Sequence, residues 1–91
     1  MIQRVTMTIQ GRVQGVFFRE STKNKAKELG LAGIVQNQSD GSVYVDVEGE
    51  KEKLQELLDW CHHGPSSARV DSLEHEFTSD LKGYQEFEVN F

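Results

Sequence analysis

Residues 11–19 read Gly-Arg-Val-Gln-Gly-Val-Phe-Phe-Arg, and they hold the types and spacing best suited to chemistry in this chain. Two glycines lie in a stretch with no helical period, and Arg19 stands where a helical pattern begins. Backbone N–H groups in such a turn converge on an anion, and a helix end adds partial positive charge. Gly15 lets the backbone approach an oxygen ligand with no Cβ in the way. The guanidinium of Arg19 supplies a planar two-donor fork matched to phosphate. The residues alone leave two readings open. One is an anion-binding loop closed by Arg19; the other is a strand–helix connection in which the glycines only turn the chain.

The remaining candidates are weaker. His62 and His63 end a helical pattern and His75 falls in a strand pattern, with no His-x-x-x-His or Cys-x-x-Cys spacing to hold a metal. They read as surface polar groups, one of them favourable at a helix C-terminus. Cys61 lies on an apolar helical stripe and reads as a buried structural thiol, with Trp60 packing beside it. The acids are scattered over helix and strand faces as solvated groups. No Gly-x-x-x-x-Gly-Lys-Ser/Thr pattern for a nucleotide is present.

Charge narrows the function classes further. The formal net charge is −5, from 10 Lys+Arg against 15 Asp+Glu. General nucleic-acid binding needs a basic surface and is not expected. An RNA-binding sheet would also need exposed aromatics on its central strands, where Tyr44 stands beside Asp46 and Glu48. Residues 1–19, however, carry Arg4, Arg12 and Arg19 and no acid, a local +3 in an otherwise acidic chain. That asymmetry suits a small anion site near the N-terminus. No run of ~18 apolar residues exists, so no membrane association is expected. Without a visible targeting segment, and with one cysteine, the cytoplasm is the expected compartment.

The elements that must position these residues follow from periodicity. Val5, Met7 and Ile9 alternate with polar residues in a half-buried strand. From about Ser21 a helix is expected, with Phe18, Thr22, Ala26 and Leu29 forming its apolar stripe and Gly30 its C-terminal stop. Residues 31–38 read as a second strand, and Asp40-Gly41 as a tight hairpin turn. Val43, Val45 and Val47 alternate in a third strand. Leu54, Leu57, Leu58 and Cys61 define a second helix over 51–62, stopped at Pro65. Val70, Leu73 and Phe77 fit a less regular strand, and Phe87, Val89 and Phe91 alternate at the end. The order is βαββαβ with an extra C-terminal strand. It predicts an α+β, ferredoxin-like two-layer sandwich: a mostly antiparallel sheet with both helices on one face. At 91 residues the chain is expected to be one domain, 1–91, and a monomer.

The stretch from Gly11 to Arg19 closely resembles the first signature of the acylphosphatase family, Gly-x-Val-x-Gly-Val-x-Phe-Arg. Residues 33–43, running on to Gly49, are similar to the second signature, and Pro65-Ser66-Ser67-Ala68-Arg69-Val70 to the family's segment after the second helix. The likeness covers almost the whole chain. One departure is Ile34, where the family commonly carries an aromatic residue; it is expected to affect packing behind the site.

The resemblance implies hydrolysis of small acyl phosphates to a carboxylate and inorganic phosphate, with no metal and no cofactor. It puts the phosphate-binding arginine on Arg19 and the water-positioning asparagine on Asn37. The phosphate cradle falls on the backbone of Gln14, Gly15, Val16, Phe17 and Phe18. The residues themselves point independently to the loop and to Arg19, whereas Asn37 rests on the resemblance. The implied partners are a small acyl phosphate and inorganic phosphate, the latter as product and inhibitor. Glu20, next to the site in sequence, is expected to point away, since a carboxylate beside the phosphate would repel it. The competing reading is a domain that binds phosphate or carbamoyl phosphate without turning it over.

Overall fold

The computed structural model describes residues 1–90. Five strands and two helices run in the order β1 (Ile2–Arg12), α1 (Phe18–Glu28), β2 (Ala32–Asn37), β3 (Val43–Glu50), α2 (Lys51–Cys61), β4 (Arg69–Thr78) and β5 (Phe87–Asn90). The strands form one sheet in the order β4-β1-β3-β2-β5. Every neighbouring pair is antiparallel except β2 and β5, which run parallel. The expected ferredoxin-like α+β sandwich is therefore the observed one, with β5 added outside β2. Phe91, the last residue of the expected alternation, lies outside the described residues.

Register explains the single core. Val5, Met7 and Ile9 of β1 pair with Val47, Val45 and Val43 of β3, and Val35 of β2 pairs with Val45. Because side chains alternate between faces, all of these point to one side, where both helices pack. Leu54, Leu57 and Cys61 from α2, and Phe18 and Ala26 from α1, are buried against them. Phe18 and Trp60 join the two helices, their ring centroids 5.8 Å apart. Burial pushes the Cys61 thiol well up, so it behaves as an inert packing group. Leu29 packs against this core only partly buried. After it, Gly30 turns left-handed (φ 72°) while the Leu31 N–H bonds the Ala26 carbonyl and the Gly30 N–H that of Lys27. That is a Schellman stop, and it ends α1 where the sequence expects.

Two boundaries differ from the periodic reading. Helix α1 begins at Phe18 rather than near Ser21, because Phe17 adopts a left-handed conformation (φ 63°, ψ 21°) and the helix departs directly from it. Ser21 is instead the first residue of the turn whose N–H finds a carbonyl, that of Phe17 at 3.0 Å. The irregularity expected in β4 is a register shift opposite Gln10 and Gly11.

The sheet's other face carries Arg4, Tyr44, Asp46 and Glu48, crossed by the β4–β5 connection. Glu48 accepts from the backbone N–H groups of Lys82, Gly83 and Tyr84. Buried Asp46 accepts from Arg4 Nε at 2.7 Å and from the Tyr84 hydroxyl at 3.0 Å. The two strand carboxylates thereby hold the strap in place. Ile34 lies on this face, opposite Asn37, and borders a surface depression with Gly83 and Tyr84. Ile34 pairs with Asp46 there, on the face away from the helices.

Candidate active site

The same register brings the candidate residues to one edge of the sheet. Val43 pairs with Ile9 on one side and Asn37 on the other, so β1 and β2 run parallel and finish in the same row, with β3 between them. The chain leaving β1 loops through 13–17 into α1, and Asn37, with its side chain on the helix face, closes β2. Strand β5, parallel to β2, delivers Val89 and Asn90 to that edge. Val13, Gly15, Phe17, Arg19, Glu20, Asn37 and Val89 line one pocket of about 300 Å³. Of the residues expected at the site, Gly15, Phe17, Arg19 and Asn37 meet there. Val16 and Phe18 are instead buried in the core and can face the pocket only through their backbone.

The loop's shape comes from two left-handed residues, Gly15 (φ 73°) and Phe17. A Cβ built on Gly15 would meet no atom within 4 Å and would project into open space at the pocket. Phe17 has no such freedom, and a non-glycine residue there stores roughly 1–3 kcal/mol of strain. Its ring is 79% exposed and contributes little core packing in return. Strain of this kind concentrates at functional sites. The start of α1 also leaves first-turn N–H groups such as those of Phe18 and Glu20 without intrahelical acceptors. The loop and helix end therefore present donors and partial positive charge to one small volume.

Side-chain hydrogen bonds from three residues fix this geometry, and one of them, Ser67, lies outside the expected set. Ser67 Oγ donates to the Val16 carbonyl at 2.8 Å. Arg19 Nη1 donates to the Asn90 carbonyl at 3.1 Å, which ties the guanidinium to β5. Gln14 Nε2 donates to the carbonyls of Gln38 and Ser42, at 2.8 and 2.9 Å. Both belong to the hairpin turn after Asn37, where Ser42 also bonds the Asp40 carboxylate and holds its pKa below the usual value. The Asn37 side-chain oxygen is buried and has no hydrogen-bond partner among the described residues.

Glu20, whose side chain is expected to point away from the loop, is exposed and is among the residues that line the pocket. The histidines lie elsewhere, and among the described residues no group of three or more His, Cys, Asp or Glu is arranged to hold a metal ion. Ser67, Val89 and the Gln14 side chain were not singled out for this geometry. Ser67 lies inside the third stretch resembling the family and Gln14 inside the first, where only its backbone was expected to matter.

The acylphosphatase family model matches residues 5–89. An acylphosphatase of Rubrobacter xylanophilus is 47% identical over 87 residues, 96% of this chain and 79% of that one. Another, of Anaeromyxobacter dehalogenans, is 42% identical over 88 residues, 97% of this chain and 95% of that one. The crystal structure of acylphosphatase from Bacillus subtilis matches with a TM-score of 0.95 at 30% identity, covering 100% of both chains. The likeness in sequence and in fold thus runs from the first strand through the pocket loop to the last, and the chain belongs to the acylphosphatase family.

Proposed function

We propose that the chain hydrolyses the carboxyl–phosphate bond of small acyl phosphates, with residues 1–91 acting as one catalytic unit. The backbone of residues 14–18 and Arg19 hold the phosphate, and Asn37 orients the attacking water. One observation carries this reading. The pocket that contains Arg19 and the loop is also lined by Asn37, whose buried amide oxygen has no partner among the described residues. A buried acceptor without a partner is costly, by ~1–3 kcal/mol. A water donating to it gains an orientation that points its lone pair at a phosphorus held by the loop.

The chemistry needs little else. The water oxygen attacks phosphorus in line, the P–O bond to the acyl group breaks, and the carboxylate leaves with the electron pair. Both water protons end on the released inorganic phosphate. A carboxylate is a weakly basic leaving group, so no strong general acid is required. A neutral amide is a poor base, so the substrate phosphate is the proton acceptor. Phosphoryl transfer chiefly demands positioning and charge stabilisation on the equatorial oxygens. Arg19 and the loop N–H groups supply the charge, which leaves no step that calls for a metal or cofactor. Inorganic phosphate fits the same cradle and inhibits as product. The reading needs only a monomer. The lone buried Cys61 suits a reducing compartment such as the cytoplasm.

The test compares Arg19→Ala, Arg19→Lys and Asn37→Ala with the wild type on a synthetic acyl phosphate, with and without chelator. Wild-type turnover survives the chelator. Arg19→Ala loses both turnover and inhibition by phosphate, and lysine rescues poorly because a point charge lacks the planar fork. Asn37→Ala loses about 10²–10³ in turnover while its phosphate inhibition constant moves only a few-fold. Absence of wild-type turnover overturns the reading, and equal loss of phosphate affinity in Asn37→Ala makes Asn37 a phosphate ligand.

A further inference from the structure

We infer that the Gln14 side chain is a positioning residue for Asn37, a role that rests on the water-orienting reading above. Asn37 is the last residue of β2, and its backbone is set on one side by pairing with Val43. On the other side the chain turns immediately through 38–42. In that turn the Gln38 N–H donates to the Ser42 carbonyl at 2.8 Å, and the Gly41 N–H to the Gln38 carbonyl at 3.1 Å. The same two carbonyls receive Gln14 Nε2, at 2.9 and 2.8 Å. A carbonyl oxygen has two lone pairs and a side-chain amide two N–H groups. Each carbonyl thus accepts twice, and the Gln14 amide donates to both strands at the mouth of the hairpin.

Gln14 is rooted in the loop that follows β1, on the far side of β3 from β2. Its amide is therefore a strut between the phosphate loop and the hairpin that begins with Asn37. The Asn37 amide oxygen has no partner among the described residues to hold it, so its position follows from its backbone and two χ angles. A shift of the order of 1 Å in a positioned group costs about 10² in rate. Releasing the strut lets the hairpin move relative to the phosphate while leaving the loop's own conformation to Gly15, Phe17 and Ser67.

A double-mutant cycle tests this with Gln14→Met, which keeps the length and removes the donors, and Asn37→Ala. Gln14→Glu is a second variant: it keeps the shape but sets a carboxylate against two carbonyl oxygens. Circular dichroism and thermal melts establish that each variant is folded at the assay temperature. Gln14→Met and Gln14→Glu are expected to lower kcat by about tenfold or more, with the inhibition constant for inorganic phosphate within about threefold of wild type. In the Asn37→Ala background the same substitutions should change kcat by less than about threefold, because the group they position is gone. A purely structural role would lower stability, or both constants, equally in either background. If Asn37→Ala alone keeps wild-type turnover, the water-orienting reading falls and this inference with it. If Asn37→Ala loses turnover but Gln14→Met and Gln14→Glu keep it, or if their losses multiply with that of Asn37→Ala, only the strut is overturned.

Discussion

The hydroxyl of Ser67 donates a 2.8 Å hydrogen bond to the carbonyl of Val16, across 51 residues of chain. In a trans peptide the carbonyl and the next N–H point in opposite directions. With the Val16 oxygen held toward Ser67, the Phe17 N–H is turned the other way. Ser67 is thereby expected to orient a phosphate donor without touching phosphate. Ser67→Ala should weaken inhibition by inorganic phosphate by about 2–10-fold, the worth of one net hydrogen bond of ~0.5–1.5 kcal/mol. Turnover at saturation should change less. Phosphate inhibition equal to wild type would remove the Phe17 N–H from the cradle.

Gly15 combines a left-handed backbone with open space where a Cβ would stand. Gly15→Ala should cost about 1–2 kcal/mol in the left-handed region, lowering the melting temperature by roughly 4–8 °C per kcal/mol. The added methyl also enters the pocket, so phosphate affinity should fall by about tenfold or more. Thermal melts and phosphate inhibition on the same samples separate the two effects. A melting shift with unchanged affinity would mean that phosphate sits away from Gly15.

Glu20 borders a pocket read as holding a doubly charged ligand. Across several ångströms of solvent its carboxylate repels a dianion by about 1 kcal/mol or less. Glu20→Gln should therefore tighten phosphate inhibition by a few-fold at low ionic strength, with the gain shrinking as salt is added. Weaker phosphate binding in that variant would give Glu20 a supporting part instead.

Tyr84 predicts an alkaline effect on stability. Burial, and then its hydrogen bond to the Asp46 carboxylate, raise the phenol's pKa to about 12. An unfolded tyrosine ionises near 10. The folded pKa is the higher one, so this contribution is fully present below pH ~10 and disappears as the pH rises through about 12. Denaturant midpoints of the wild type should fall toward those of Tyr84→Phe across that window. Parallel curves would show that Tyr84 does not carry the effect.

How much of this was legible in the residues differs from element to element. The alternation of Val43, Val45 and Val47, the stripe through Leu54 and Cys61, and the stop at Gly30 are local patterns with fixed periods, so both layers could be read directly. The loop at Gly11–Arg19 was legible for the same reason: glycines, a helix start and an arginine are neighbours in sequence. Asn37 was visible only through the family resemblance, since its place opposite Ile9 depends on β3 lying between β1 and β2.

The Gln14 strut, the Ser67 bond and the arrival of Val89 and Asn90 beside Arg19 left no periodic trace at all. Each joins segments 24 to 71 residues apart. The sequence by itself determined which residues form each element, which face of it is apolar, and that an anion suits the loop. Only the tertiary structure decided which elements end in the same row. Periodicity is a property of neighbouring residues along the chain, whereas the meeting of distant side chains depends on strand order and register, which the packed sheet alone settles.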